Sequence, residues 1–473
     1  MFINGEWLTD GPTFPVYNPA TGEQIGEAAD GSAEQAQQAI AAAHAALPGW
    51  RAETAYARST ILYRAHQHML EEQEELAKLM TREQGKPLKA AMNEVKYAAD
   101  FLLWFAEEAK RVYGETIPSA RSDQRFLVQK QPIGVVAAVT PWNYPISMIT
   151  RKLGPALAAG CTVVLKPAES TPLCAMAVFK ILERAGVPAG VANLVTALDP
   201  KPVGETFCNH PLVRKLTFTG STAVGKQLAQ ACAPQLKRVS MELGGHAPFI
   251  VYEDADPEHA AKGVSLVKFL NTGQACISPN RIFVQRRILE PFLGTLQTRV
   301  NALRAGNGMD PSSSIGPLIN ESAIQKVDRQ VQDAVSKGAT LLAGGSRLTA
   351  DGLDKGCFYS ATLISNVTPD MLIYREETFG PIAAVVPFDD EDDVITMAND
   401  TRYGLAAYVY TQNLARALRT FEQLEFGIIG INDINPTSAA APFGGMKESG
   451  MGREGAREGI EEYLETKLGG LSI

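Results

Sequence analysis

Between residues 133 and 244 the chain repeats one unit: a short apolar run, a turn, then in most cases a helical stretch. The runs are IGVVAAVT, CTVVLKP, VANLVT, VRKLTFTG and RVSMEL. Strands this apolar have no face to show to water, so both sides need cover, and the intervening helices supply it. The pattern predicts an α/β fold built on a parallel sheet with helices on both faces. Such sheets bind ligands at the carboxyl ends of their strands. A second alternating region spans 247–444. It opens with the helix that leads to Cys276 and has strands near 281, 340, 382, 407 and 428, which predicts a second α/β domain. Residues 53–111 read as helical, with Gly85 and Pro87 as a break. Residues 114–132 are polar with strand-like pieces, and a protruding hairpin is expected there.

Composition narrows the function. A chain of 473 residues is too long for one core. The net charge is -8, with acids and bases interspersed and no basic stripe, so no nucleic-acid partner is expected. No apolar run approaches the ~20 residues of a membrane-spanning helix. The opening MFINGEWLTDG has no basic and then apolar leader, so a cytoplasmic location is expected. Six cysteines, at 161, 174, 208, 232, 276 and 357, form no C-x-x-C pair and no Cys/His cluster. Reduced thiols and no metal are the expectation.

The residues suited to chemistry fall at strand ends. GSTAVGK, residues 220–226, places Gly220, Ser221 and Gly225 in a turn before a helix, where backbone N–H groups and the helix dipole suit a diphosphate. It nearly matches a P-loop, but Gln227 stands where a Mg²⁺-binding hydroxyl belongs, which disfavours a nucleotide hydrolase. In LKPAES, Glu169 can accept both hydroxyls of an adenosine ribose and would repel a 2'-phosphate. Lys166 precedes it. PWNYP wedges Asn143 between two prolines, and a fixed amide there suits a developing oxyanion. In MELGGHAP, Glu242 ends a strand beside two glycines that permit close approach of a ligand or another backbone. Partly buried, Glu242 could act as a general base. In FLNTGQACISPNR, turn-forming residues surround Cys276, as they would in a loop at a pocket.

Together these stretches resemble the NAD(P)-dependent aldehyde dehydrogenase superfamily. INGEW, YNPATGE, TPWNYP, KPAES, FTGSTAVG, MELGGHAP, NTGQACISPNR, EETFGP and PFGGMKESG follow in the family's order across nearly the whole chain. The resemblance implies a Rossmann-like NAD-binding domain over 1–113 and 133–244 and a catalytic domain over 245–444. It implies a small β oligomerisation element over 114–132 and 445–473, in a homodimer or homotetramer. It makes Cys276 the nucleophile, Asn143 the oxyanion donor and Glu242 the base for hydrolysis. It assigns Trp142, Lys166, Glu169, Gly220, Ser221, Gly225, Leu243, Glu377 and Phe379 to the cofactor, with NAD preferred and NADP as the alternative. A catalytically silent relative would be expected to lose Cys276 or Glu242, and both are present.

Within the superfamily the chain is most similar to succinate-semialdehyde and related ω-semialdehyde dehydrogenases, through MITRKLGPALAAGCTVVLKPAE, HPLVRKLTFTGSTAVGKQL and PFGGMKESGMGREG. The resemblance points Arg151 at a distal carboxylate and places Phe443 in the substrate pocket. It also points to a hydroxyl from Thr437 or Ser438. A second arginine usual in that subfamily is replaced by Leu270. Loss of a charge-assisted partner costs roughly 1.5–3 kcal/mol. Weaker binding of succinic semialdehyde, or a 2-oxoglutarate, glutarate or less polar aldehyde instead, is therefore expected.

Overall fold

The computed structural model describes residues 1–473. Its first sheet holds five parallel strands: β1 (Val135–Val139), β2 (Thr162–Lys166), β3 (Ala192–Leu194), β4 (Val213–Thr219) and β5 (Arg238–Glu242). Their order is β3-β2-β1-β4-β5. The chain runs outward in one direction from β1 to β3 and then returns to the other side of β1. The carboxyl ends of β1 and β4 therefore diverge and leave a crevice between their following loops. Antiparallel strands close both edges: Phe2–Ile3 pairs with β3, and Gly450–Met451 pairs with β5.

Helices cover both faces of this sheet. α1 (Ser147–Ala159) follows β1, α2 (Pro172–Ala185) follows β2, and α3 (Thr222–Cys232) follows β4. α1 is buried along its whole length, which places two charged residues, Arg151 and Lys152, inside the protein. It packs against Leu88–Glu108, where Phe105 faces Gly154: a Cβ on that glycine would lie 3.1 Å from the Phe105 ring. Filling such sites with a fully buried aromatic is worth about 3–5 kcal/mol each.

The second sheet comprises β6 (Ala247–Val251), β7 (Pro279–Gln285), β8 (Thr362–Ser365), β9 (Ile382–Phe388), β10 (Ala406–Tyr410) and β11 (Ile428–Ile431). They lie parallel in the order β8-β9-β7-β6-β10-β11, with Thr340–Ala343 antiparallel on β8. The region thus opens with a strand, β6, before the helix Pro257–Lys268 that leads to Cys276. β8, the run TLIS, is not among the strands expected from the sequence.

Helices Ala55–Glu71, Gln73–Gln84 and Leu88–Glu108 fill the predicted helical region, and Gly85 makes the break with φ 94°. Another helix, Ala33–Ala52, carries Pro48 in its interior. That proline hides it from a reading that treats proline as a stop. Residues 115–132 form a hairpin, Glu115–Ile117 with Gln124–Pro132, and Leu464–Ser472 adds a third antiparallel strand. Residues 446–451 lie elsewhere: Met446–Lys447 pairs with Tyr403–Gly404, and Gly450–Met451 sits on the first sheet.

Candidate active site at the junction of the two sheets

β5 ends at Glu242 and β6 begins at Ala247, so only four residues join the sheets. That short link presses the carboxyl end of the first sheet against the amino end of the second. β6 then pairs in parallel with β7, Ala247 opposite Pro279. The residues just before β7, Cys276 among them, must therefore lie beside those just before β6. The approach is at backbone distance: a Cβ on Gly245 would sit 2.2 Å from the Cys276 carbonyl oxygen. Only glycine fits there.

The loop that carries Cys276 is built tightly. Buried Gln274 donates from Nε2 to the carbonyls of Asn271 (3.3 Å) and Pro317 (3.2 Å), and its Oε1 accepts from Ile319 N (3.0 Å). Asn271 and Thr272 both adopt the left-handed region, at φ 49° and 58°. Such a conformation in β-branched Thr272 is costly and persists because the surroundings impose it. From the crevice between β1 and β4, the Asn143 amide donates from Nδ2 to the Gln274 carbonyl at 3.0 Å. The amide thus lies against the loop two residues before the thiol.

The Cys276 side chain is half-buried. Burial pushes its thiol up to about 12; Arg151 pulls it down, and the Glu242 and Glu377 carboxylates push it further up. Glu242 is buried, and its Oε2 has no hydrogen-bond partner. Burial holds its carboxyl well above the usual range and Glu454 adds to this, opposed by Arg151, Lys152 and Arg453. A carboxylate raised in this way binds a proton more tightly than an ordinary one, which suits it to proton transfer.

Arg151 is 2% exposed, so it is no helix-surface residue. Its Nε lies 3.3 Å from Glu454 Oε2, its guanidinium sits 3.8 Å from the centre of the Phe443 ring, and one terminal nitrogen has no partner. Glu454 also pairs with Lys152. Sequence reasoning missed Glu454 and Lys152. The available signal was charge inside the otherwise apolar helix that contains ITRK, because a buried charge requires a counter-charge. Leu270 opens the turn after Pro257–Lys268 and is 43% exposed. Thr437 is half-buried and Ser438 exposed in the irregular segment after β11. Ser438 lines a cavity of about 410 Å³ whose walls include none of Cys276, Arg151 or Leu270. Thr437 is the better placed of the two hydroxyls only in being less exposed. His246 is structural: its Nε2 pairs with the Tyr374 carbonyl at 2.7 Å.

The crevice itself fits a nucleotide. Thr140 and Thr219, at the ends of β1 and β4, have buried hydroxyls with no partner. Both hydroxyls are thus free to meet a ligand placed in the crevice. Ser221 caps α3, and its hydroxyl accepts from Val224 N at 3.4 Å. The Gly220 N–H donates to the Glu242 carbonyl at 3.0 Å. A Cβ on Gly225 would meet Leu243 at 2.3 Å, so that glycine lets α3 settle on the Glu242 segment. Lys226 is turned away and pairs with Glu448 at 2.7 Å, unlike a P-loop lysine. Lys166, the last residue of β2, pairs at 3.3 Å with Glu169 on the loop that follows. Trp142 and Phe379 meet edge to face with centroids 5.6 Å apart. Glu377 accepts from Gly245 N at 2.9 Å, beside the Cys276 loop.

The model of the family described as "Aldehyde dehydrogenase family" matches residues 7–468. The chain belongs to the aldehyde dehydrogenase family. As a member it is an oxidoreductase. It is 51% identical to the succinate-semialdehyde dehydrogenase (NADP(+)) GabD of Escherichia coli (strain K12), over 98% of this chain and 96% of that one. It is 50% identical to a glutarate-semialdehyde dehydrogenase of Pseudomonas putida, over 100% and 97%. The fold superposes on the crystal structure of an E. coli NADP-dependent enzyme with a TM-score of 0.97 at 50% identity, covering 100% of this chain and 98% of that one. No helix of this aldehyde dehydrogenase is long and apolar enough to cross a membrane.

With its thiol pushed up to about 12, Cys276 is mostly protonated at neutral pH. The thiolate fraction, and with it the alkylation rate, should rise about tenfold per pH unit well below that value. Iodoacetamide labelling at Cys276, followed by peptide mass spectrometry without added nucleotide, is expected to accelerate in that way from pH 7 to 9. A rate already flat at pH 8 would contradict it.

Proposed function

We propose that this aldehyde dehydrogenase oxidises a carboxylate-bearing semialdehyde, such as succinic or glutaric semialdehyde, to the corresponding acid. The observation that carries the reading is the convergence of Asn143, Glu242 and the half-buried Cys276 at the crevice. Cys276 gives up its proton toward Glu242 and attacks the aldehyde carbon. The Asn143 amide and the Cys276 backbone N–H hold the oxyanion. A bound nicotinamide nucleotide supplies the hydride acceptor of the oxidation. The product on sulfur is a thioester, which water cleaves more readily than an amide, and Glu242, once it has released the thiol proton to solvent, takes the proton of that water. Trp142, Gly220, Ser221, Gly225, Leu243, Glu377 and Phe379 would hold the nucleotide, with Lys166 and Glu169 at its adenosine ribose.

Arg151 supports a carboxylate on the substrate: it is buried beside Phe443, and two of its guanidinium nitrogens, Nε and Nη2, make no hydrogen bond. Its other side is committed to Glu454, and Leu270 adds no second charge. Those two features favour a weaker carboxylate grip than two arginines provide, and they support a longer or less polar aldehyde as the second reading. An NADH-absorbance screen across charged and uncharged aldehydes should find the highest kcat/KM with an ω-carboxylated one. The Cys276→Ala variant should lose activity with all of them; residual nucleotide reduction would remove Cys276 from this role.

Glu169 supports NAD as the preferred nucleotide through repulsion of a 2'-phosphate. Lys166, paired with it, offsets part of that charge and keeps NADP open as the alternative. Glu169→Ser should raise the ratio of NADP to NAD activity several-fold. An unchanged ratio would sink the assignment.

A cytoplasmic homodimer or homotetramer is part of the same reading, with 114–132 and the C-terminal strand as the assembling element. Its support is the free edge of Leu464–Ser472 and the exposed Leu127, Leu468 and Leu471 on that sheet. Light scattering behind size exclusion should give a multiple of the 50.9 kDa chain, and Leu468→Asp with Leu471→Asp should reduce it. A wild-type monomer would refute the assembly.

A further inference from the structure

Lys86 and Glu94 form an ion pair whose side chains are each 1% exposed. Neither residue belongs to the crevice, and neither is needed by the chemistry above. A buried pair gives little net stability, because two charges must first be stripped of water. What the pair touches is therefore informative. Lys86 Nζ donates to the Asn143 carbonyl at 2.8 Å and lies 4.1 Å from the centre of the Tyr144 ring. Glu94 Oε1 accepts from Ile146 N (3.1 Å), Ser147 N (3.2 Å) and Ser147 Oγ (3.4 Å). Those are orphan donors at the start of α1, whose own N-cap, Ile146, has no side chain to offer.

The pair itself is held firmly. Lys86 follows Gly85 in the break between two helices, and the segment is wedged against the second sheet's loops. A Cβ on Gly85 would lie 2.6 Å from Pro317, and one on Gly316 would lie 2.0 Å from the Gly85 carbonyl. The Leu88 N–H donates to the Gly308 carbonyl at 2.9 Å. The same Asn143 carbonyl accepts a second bond, from Asn271 Nδ2 at 2.9 Å, on the loop that carries Cys276. One ion pair thus grips the peptide of Asn143 on one side and caps α1, which carries Arg151, on the other.

We propose that the buried Lys86–Glu94 pair is a positioning device: it fixes the Asn143 peptide, and so aims the Asn143 amide at the oxyanion formed on Cys276. This rests on the reading of Asn143 as the oxyanion donor. A misplacement of about 1 Å in such a group costs ~100-fold in rate.

A double-mutant cycle tests it, with succinic semialdehyde and propanal both assayed at saturating NAD and with thermal midpoints measured alongside. Asn143→Ala should lower kcat roughly 100- to 1,000-fold. If kcat does not move, the role of Asn143 itself fails. Lys86→Met should lower kcat roughly 10- to 100-fold with KM for NAD within about twofold of wild type. In the Asn143→Ala background, Lys86→Met should have no further effect on kcat. Equal losses in both backgrounds would overturn the proposal, as would a loss confined to KM or to the thermal midpoint. Lys86→Met alone strands a buried carboxylate and could unfold the chain. The paired Lys86→Met, Glu94→Gln variant removes both charges and keeps an acceptor for α1, and it is judged by the same cycle.

Discussion

The contact between Gly245 and the carbonyl of Cys276 governs the rest of the molecule. Two parallel sheets meet there, and only four residues separate the last strand of one from the first strand of the other. A link that short leaves the sheets no freedom to choose their relative placement. β6 must start where β5 stops, β7 must pair with β6, and the loop before β7 must fall at the mouth of the first sheet's crevice. A Cβ at 245 would lie 2.2 Å from the Cys276 carbonyl oxygen, so any side chain there would force the two backbones apart. The proximity of thiol, carboxylate and amide is a consequence of this connection rather than of any local attraction among them.

Electrostatics then sets the character of the site. Desolvation raises both the Cys276 thiol and the Glu242 carboxyl above their ordinary values. Arg151, Lys152 and Arg453 pull Glu242 back, and Arg151 does the same for Cys276. Glu454 holds Arg151 and Lys152 in place and adds its own opposing charge. The balance is fine because Arg151, Lys152, Glu242 and Glu454 are all buried, where charges interact more strongly than in water. A resting thiol is also less exposed to oxidation than a standing thiolate would be.

Much of this was legible in the sequence. Apolar strand runs and their turn residues announced both sheets, and strand-end motifs announced the chemistry, because each depends on local pattern. The glycines of MELGGHAP could be read as a site of close backbone approach, which they are. Other features were not legible. Pro48 concealed a helix, and β8 was not recognised as a strand. Arg151 could not be told from a surface arginine, since its burial depends on the sheet and the distant helices that pack around α1. Lys86 and Glu94 carry no signal at all: they serve Asn143, more than fifty and almost fifty residues further along the chain.

The sequence by itself determined the kind of fold, the family and the candidate reactive groups, because strand periodicity, turn chemistry and motif order are properties of neighbouring residues. The tertiary structure alone decided which charges are buried, what each is paired with, and how the Asn143 amide is aimed. Those depend on contacts between distant segments, such as Lys152 with Glu454 some three hundred residues away, and no local pattern encodes them. Burial and pairing are what turn a cysteine, a glutamate and an asparagine into a site.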